Sequence, residues 1–129
     1  MNERMPEEFW QSVEQFNTGQ YYDCHDTLEA LWIEATEPEK TFYQGILQIA
    51  VALYHLGNNN LRGAAILLGE GSNRLRRYPS DYGSIDVDEL LDRSAALLTA
   101  LQEAELKKNA TFDLSHEILP HIVRIGSRD

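Results

Sequence analysis

His25 and Glu29 stand one helical turn apart in the run FNTGQYYDCHDTLEALW, from Phe16 to Trp32. On a helix, positions four and seven apart share a face, so His25, Glu29 and Trp32 form one stripe carrying an imidazole, a carboxylate and an indole. A second run, FYQGILQIAVALYHL from Phe42 to Leu56, puts Gln44, Gln48, Val51 and His55 on a common face by the same arithmetic, with Phe42, Ile46, Ile49, Leu53 and Leu56 pointing elsewhere. That second helix is apolar nearly all round except for this polar seam. The expectation is that seam and stripe meet, making a buried polar pocket of His25, Glu29, Trp32, Gln44, Gln48 and His55.

Three chemistries suit such a cluster. Burying Glu29 as an ion without donors would cost several kcal/mol, so a network with His25, His55 and the Gln44 and Gln48 amides would fix the register of the two helices. Two imidazoles and a carboxylate, His25, His55 and Glu29, are also the ligand set of many catalytic zinc centres, which makes zinc or another divalent metal the alternative to having no cofactor. A di-iron centre fits worse, since such bundles bring about four glutamates inward and this core offers one. The third reading is a small organic ligand held among Tyr21, Tyr22, Trp32, Tyr43 and Tyr54 and oriented by the polar groups. His116 and His121 would add ligands only if the C-terminal arm folds back.

The same residues carry a family resemblance. The pattern G-x-Y-Y-x-x-H-x-x-L-E-x-x-W (Gly19 to Trp32), then F-x-Q-G-I-L-Q-I-A (Phe42 to Ala50) and Y-H-x-x-x-N-x-x-x-G-A (Tyr54 to Ala64), resembles the domain-of-unknown-function family numbered 309 across Phe9 to Leu75. The resemblance implies a compact all-helical fold with His25, Glu29, Trp32, Gln44, Gln48 and His55 at the signature positions. It implies no activity.

The whole chain narrows the partners. At 129 residues it is one domain, large enough to bury roughly two-thirds of its unfolded surface. Twenty-one acids against eleven Lys plus Arg leave a net charge of −10, which argues against nucleic acid and anionic membranes as partners. One cysteine makes no internal disulfide, the start MNERMPEEFW lacks a signal-peptide profile, and no apolar run approaches the ~18 residues of a membrane span, so a cytoplasmic setting is expected. Cys24 and His25, as consecutive helix positions, diverge by about 100° and do not form a nucleophile and base, so an inert, partly buried thiol is expected. Arg62, Arg74, Arg76 and Arg77 are the one basic spot, expected to pair with Asp88, Glu89 and Asp92 rather than with an anionic partner. Gly69-Glu70-Gly71 lacks the context of a phosphate loop.

The elements that must position the stripe and the seam are helical. Pro6, Glu7 and Glu8 suit a helix start, Phe9, Trp10, Val13 and Phe16 give it an apolar face, and Gly19 is placed to end it. A second helix from about Gln20 to Ala35 buries Tyr21, Leu28, Leu31 and Trp32, and Pro38 stops it and opens the third. That third, about Pro38 to Leu56, belongs at the centre; Gly45 inside it marks a close helix crossing, Gly57 ends it, and Asn58 to Asn60 supply a turn and an N-cap. A fourth helix carries Leu61, Ala64, Ala65, Leu68, Leu75 and Tyr78, and its glycines, Gly63, Gly69 and Gly71, require it to lean on neighbours. Pro79 to Ser84 reads as a loop, Asp86 with Glu89 as a capping box, and Val87, Leu90, Leu91, Leu97, Leu98 and Leu101 as a fifth helix to about Lys107.

The expected architecture is therefore all-α: a single-domain antiparallel bundle of about five helices over residues 1–108, with a C-terminal arm, residues 109–129, packed on the bundle or on a neighbour. Helix pairs two-three and four-five have a weak architectural likeness to tetratricopeptide-type hairpins. An exposed face of Phe9, Trp10 and the arm's isoleucines would make a surface for a homo-oligomer. The expected function is a non-catalytic interaction or small-ligand-binding module, its partner a protein or small molecule; the alternative is a metal-dependent hydrolase-like enzyme using His25, Glu29 and His55.

Overall fold

The computed structural model describes residues 5–107 and 119–125. Among them are five α-helices: α1 (Glu7–Asn17), α2 (Tyr21–Glu34), α3 (Glu39–Gly57), α4 (Leu61–Leu75) and α5 (Val87–Lys107), with a 3-10 turn at Tyr82–Ser84. Each helix packs on the next in the chain, with the α3–α4 contact the most extensive. Loops as short as 18–20, 35–38 and 58–60 force neighbours to run antiparallel. The all-α bundle expected from periodicity is the fold observed.

Local chemistry sets the helix ends. Gly19 takes the left-handed conformation (φ 81°) after α1, and the Gln20 N–H then donates to the Gln15 carbonyl, the six-to-one bond of a Schellman ending. After α3 the left-handed position falls to Asn59 (φ 63°), so Gly57 is the last residue of the helix rather than its terminator. The Asn60 N–H donates back to the His55 carbonyl, and the Asn60 side-chain oxygen caps α4 by accepting from the Gly63 N–H at 3.0 Å. Glu37, two residues before α3, accepts from both the N–H and the hydroxyl of Thr41, and these bonds hold its carboxyl below the usual carboxylate range. Asp86 makes half of the expected capping box by accepting from the Glu89 N–H at 3.0 Å; the Glu89 side chain pairs with Arg93 instead of returning to the cap.

The core runs along α3. Phe42, Ile46 and Ile49 are fully buried, against Phe9 and Phe16 from α1, Leu28 from α2 and Leu68 and Leu75 from α4. Burying side chains of this size stabilises the fold by about 1.5–3 kcal/mol each. Phe42 also gathers an aromatic cluster, with ring centres 4.7 Å from Tyr82, 5.3 Å from Tyr78 and 6.0 Å from Phe9.

The described part of the arm, residues 119–125, packs on its own bundle. Ile122 is buried, its backbone N–H and carbonyl both satisfied by the Asn17 side chain at 2.8 and 2.9 Å. An isolated antiparallel bridge joins Ile85 to Arg124, and the Arg124 guanidinium lies 3.9 Å from the centre of the Trp10 ring. The face expected to drive self-association is consumed internally: Phe9 is fully buried, Trp10 is covered by Arg124 and Ile122 is in the core, leaving Val123 and Ile125 exposed. Residues 109–118, including Ile118 and His116, lie outside the described residues.

Candidate functional site

A groove of about 300 Å³ opens where α2, α3 and α4 meet, lined by His25, Glu29 and Trp32 from α2, Gln44, Leu47, Gln48 and Val51 from α3, and Leu67 from α4. Stripe and seam do converge, so five of the six expected residues share one cavity. The convergence is at the surface and not in the interior. Glu29 is exposed, and His25, Trp32, Gln44 and Gln48 are half-buried. The reason is angular: α2 turns Cys24 and Leu28 into the core, and Glu29, next after Leu28, is carried about 100° away toward solvent. The expected buried cluster is thereby corrected to a polar rim above an apolar floor.

His55 is the residue that the structure leaves out. It lies on the last turns of α3, three turns beyond Gln44, with its ring 6.2 Å from that of Tyr54, and is not part of the groove wall. The expected metal set of His25, Glu29 and His55 is therefore not assembled. A different trio is: ligand atoms of His25, Asp26 and Glu29 lie within 4.8 Å of one another, all on α2. His121 lies with its Nδ1 3.1 Å from the Leu119 carbonyl and takes no part in the groove.

The hydrogen bonds also differ from the expected network. His25 Nδ1 lies 3.2 Å from Asp26 Oδ1 and makes no bond to Glu29. The Gln48 amide is committed to α4, donating to Glu70 at 3.3 Å and accepting from Arg74 at 3.1 Å, so it ties two helices together instead of serving α2. Arg74 is thus not paired with α5, and Arg76 donates to Asn73; the salt bridges expected between α4 and Asp88, Glu89 or Asp92 do not form among the described residues. Lys40 donates to the Trp32 carbonyl at 2.7 Å and holds its ammonium 4.4 Å from the centre of the Trp32 ring. Among the described residues, Gln44 and Glu29 make no hydrogen bond through their side chains, so both polar ends are open to a ligand.

The tyrosines proposed to hold a ligand are divided among different surroundings. Tyr43 is buried against Phe9, while Tyr21, Tyr22 and Tyr54 border a separate hollow of about 380 Å³ beside the α1–α2 loop. Only Trp32 of that set faces the groove. Tyr22 nevertheless links the two hollows, stacking 6.2 Å from His25 and lying 5.6 Å from Tyr54. Two groove residues escaped the sequence reading, Leu47 beside Ile46 on α3 and Leu67 beside Leu68 on α4. Each widens the apolar face of its helix beyond the core stripe, which was the one sequence signal for it.

Cys24 is fully buried under α1, where its thiol donates to the Ser12 carbonyl at 3.3 Å. Burial pushes the thiol up to about 12, so at neutral pH it carries no thiolate, as expected of an inert cysteine. Burial, and secondarily the nearby Cys24, also raises the Tyr21 hydroxyl.

A family model described as a domain of unknown function (DUF309) matches residues 9–67, a span that includes every residue of the groove wall. The uncharacterized protein YpuF of Bacillus subtilis (strain 168) is 30% identical to the chain over 120 residues, covering 90% of this chain and 68% of YpuF. An uncharacterized protein of Aquifex aeolicus (strain VF5) is 26% identical over 76 residues, 58% of this chain and 23% of that protein. Both relatives thus extend beyond the part that this chain matches. No helix among the described residues is long and apolar enough to cross a membrane.

Proposed function

We propose that this chain, which belongs to the DUF309 family, is a non-catalytic binding module that takes a small organic ligand in the groove between α2, α3 and α4. One observation carries the reading: an apolar floor of Leu47, Val51, Leu67 and Trp32 converges with two polar groups, Gln44 and Glu29, that have no protein hydrogen-bond partner among the described residues. Apolar walls supply affinity, and a few unpaired polar groups fix orientation. The groove's volume, about 300 Å³, is at the small end of ligand sites and suits a short molecule rather than a nucleotide-sized one.

The test is a fragment screen by ¹H–¹⁵N NMR on the wild-type protein and on Leu67→Trp, which fills the groove from α4. The reading expects shifts at the Trp32 indole and the Gln44 side-chain amide that vanish in the variant. Binders that shift other residues, or that ignore Leu67→Trp, would overturn it.

A second reading is favoured by the approach of His25, Asp26 and Glu29 to within 4.8 Å. An imidazole with two carboxylates is a ligand set for zinc or a similar divalent ion, which would supply Lewis acidity for a hydrolase-like reaction. Calorimetric titration of untagged protein with Zn²⁺ tests it: stoichiometric binding abolished in His25→Ala supports this reading, and its absence removes it.

A further inference from the structure

We infer that the groove selects a cation, a primary ammonium on a short aliphatic chain. The inference rests on the groove being a ligand site and adds the charge of its occupant.

Charge at the mouth is the first argument. Asp26 and Glu29 are exposed on α2, and Glu70 is exposed on α4 beside Gln48. The two cations nearby bond neutral oxygens, Arg74 that of the Gln48 amide and Lys40 the Trp32 carbonyl, and so keep their charge. Three carboxylates against two cations still leave this rim negative, on a chain whose net charge is −10. An anionic ligand would meet net repulsion there, whereas a cation would be drawn in.

The division of the groove into zones is the second. Leu47, Val51 and Leu67 offer an aliphatic chain a floor, while Glu29 stands at the solvent edge, where an ammonium can pair without losing all its water. Gln44, half-buried and with no hydrogen bond to its side-chain oxygen among the described residues, is an acceptor for a second ammonium proton. An ammonium donates in three directions and accepts in none, which suits the Glu29 carboxylate and the Gln44 amide oxygen.

The same ammonium could be presented by a free alkylamine or by a lysine side chain of another protein, and the experiment separates the two. Hexylamine, hexan-1-ol and hexanoate share one chain and differ only in the end group; each is titrated at pH 7.5 into ¹⁵N-labelled wild-type protein and Glu29→Gln, following the Trp32 indole and Gln44 amide signals. The inference expects hexylamine to bind about 10-fold more tightly than hexan-1-ol, hexanoate to bind least, and Glu29→Gln to remove the amine's advantage. Nα-acetyl-lysine methylamide is the further arm: if it shifts the same signals the source is a protein lysine, and if hexylamine alone does so the source is a free amine, both supporting the inference. If hexan-1-ol and hexanoate bind as well as hexylamine, the groove remains a ligand site and the ammonium preference is overturned. If no six-carbon probe shifts the groove signals, the ligand-site reading falls with it.

Discussion

Gly45 and Gly71 meet where α3 crosses α4: a methyl group built on Gly71 would lie 2.7 Å from the carbonyl oxygen of Gly45. A helix backbone can approach another this closely only where neither carries a side chain at the crossing. The consequence reaches the groove, because the crossing sets the distance at which Gln48 on α3 reaches Glu70 and Arg74 on α4 and at which Leu67 completes the wall.

Gly71→Ala should destabilise the protein by about 1–3 kcal/mol, because the obstructing atom is backbone and the gain in helix propensity, about 1 kcal/mol, only partly offsets the overlap. Gly45→Ala should cost less, since its added methyl first meets the Leu75 side chain at 2.9 Å and the Gly71 carbonyl only at 3.2 Å. Urea denaturation of the two variants checks the order; a Gly71→Ala protein as stable as wild type would show that the helices separate freely.

Asn17 holds the arm by two bonds to one residue, the N–H and the carbonyl of Ile122. Asn17→Ala strands both backbone groups at a part-buried position and should cost about 1–3 kcal/mol. Faster amide exchange at Ile122, with the exchange of α3 core amides unchanged, is the expected signature. Equal protection in mutant and wild type would assign the anchoring to Ile122 burial alone.

His25→Ala and Glu29→Ala should each leave stability within about 0.5 kcal/mol of wild type, because Glu29 is exposed and His25 bonds Asp26 rather than Glu29. A buried cluster would behave otherwise, losing about 3–5 kcal/mol when either partner is removed. Thermal melts distinguish the two, and a large loss in either variant would mean that the groove residues hold the fold together.

Stability should fall in alkali. The folded thiol of Cys24 loses its proton near 12 against an ordinary value of 9.0, so between those values the unfolded chain has released a proton that the folded chain still holds. Fewer protons on the unfolded state means that unfolding becomes easier as pH rises through this window. Tyr21, Tyr43 and Tyr78, each raised chiefly by burial, act in the same direction. Melting temperatures should hold between pH 6 and about 8 and then decline, with a shallower decline in Cys24→Ala; a flat profile to pH 11 would contradict the burial of these groups.

The number and order of the helices were legible in the sequence because each rests on local patterns: the 3.6-residue spacing of Phe9, Val13 and Phe16, the all-round apolarity of α3, the Asn60 cap and the break at Pro79. Gly45 announced a close crossing for the same reason, as a costly residue in the middle of a good helix. Its partner Gly71 was not legible, since no local rule says which of the glycines of α4 faces α3. The site divides along the same line. That His25, Glu29, Gln44 and Gln48 lie on matching faces follows from periodicity within each helix, and the structure brings them to one groove. Whether that groove is inside or outside depends on the rotation of α2 about its own axis, which is decided by the burial of Cys24 and Leu28 against α1 and α3. The exclusion of His55 has an equally long-range cause: it shares the seam's face but lies one turn past Val51, the last α3 residue of the groove wall. Angular position is a property of the chain alone, whereas depth and height along a helix are settled only when the neighbours pack.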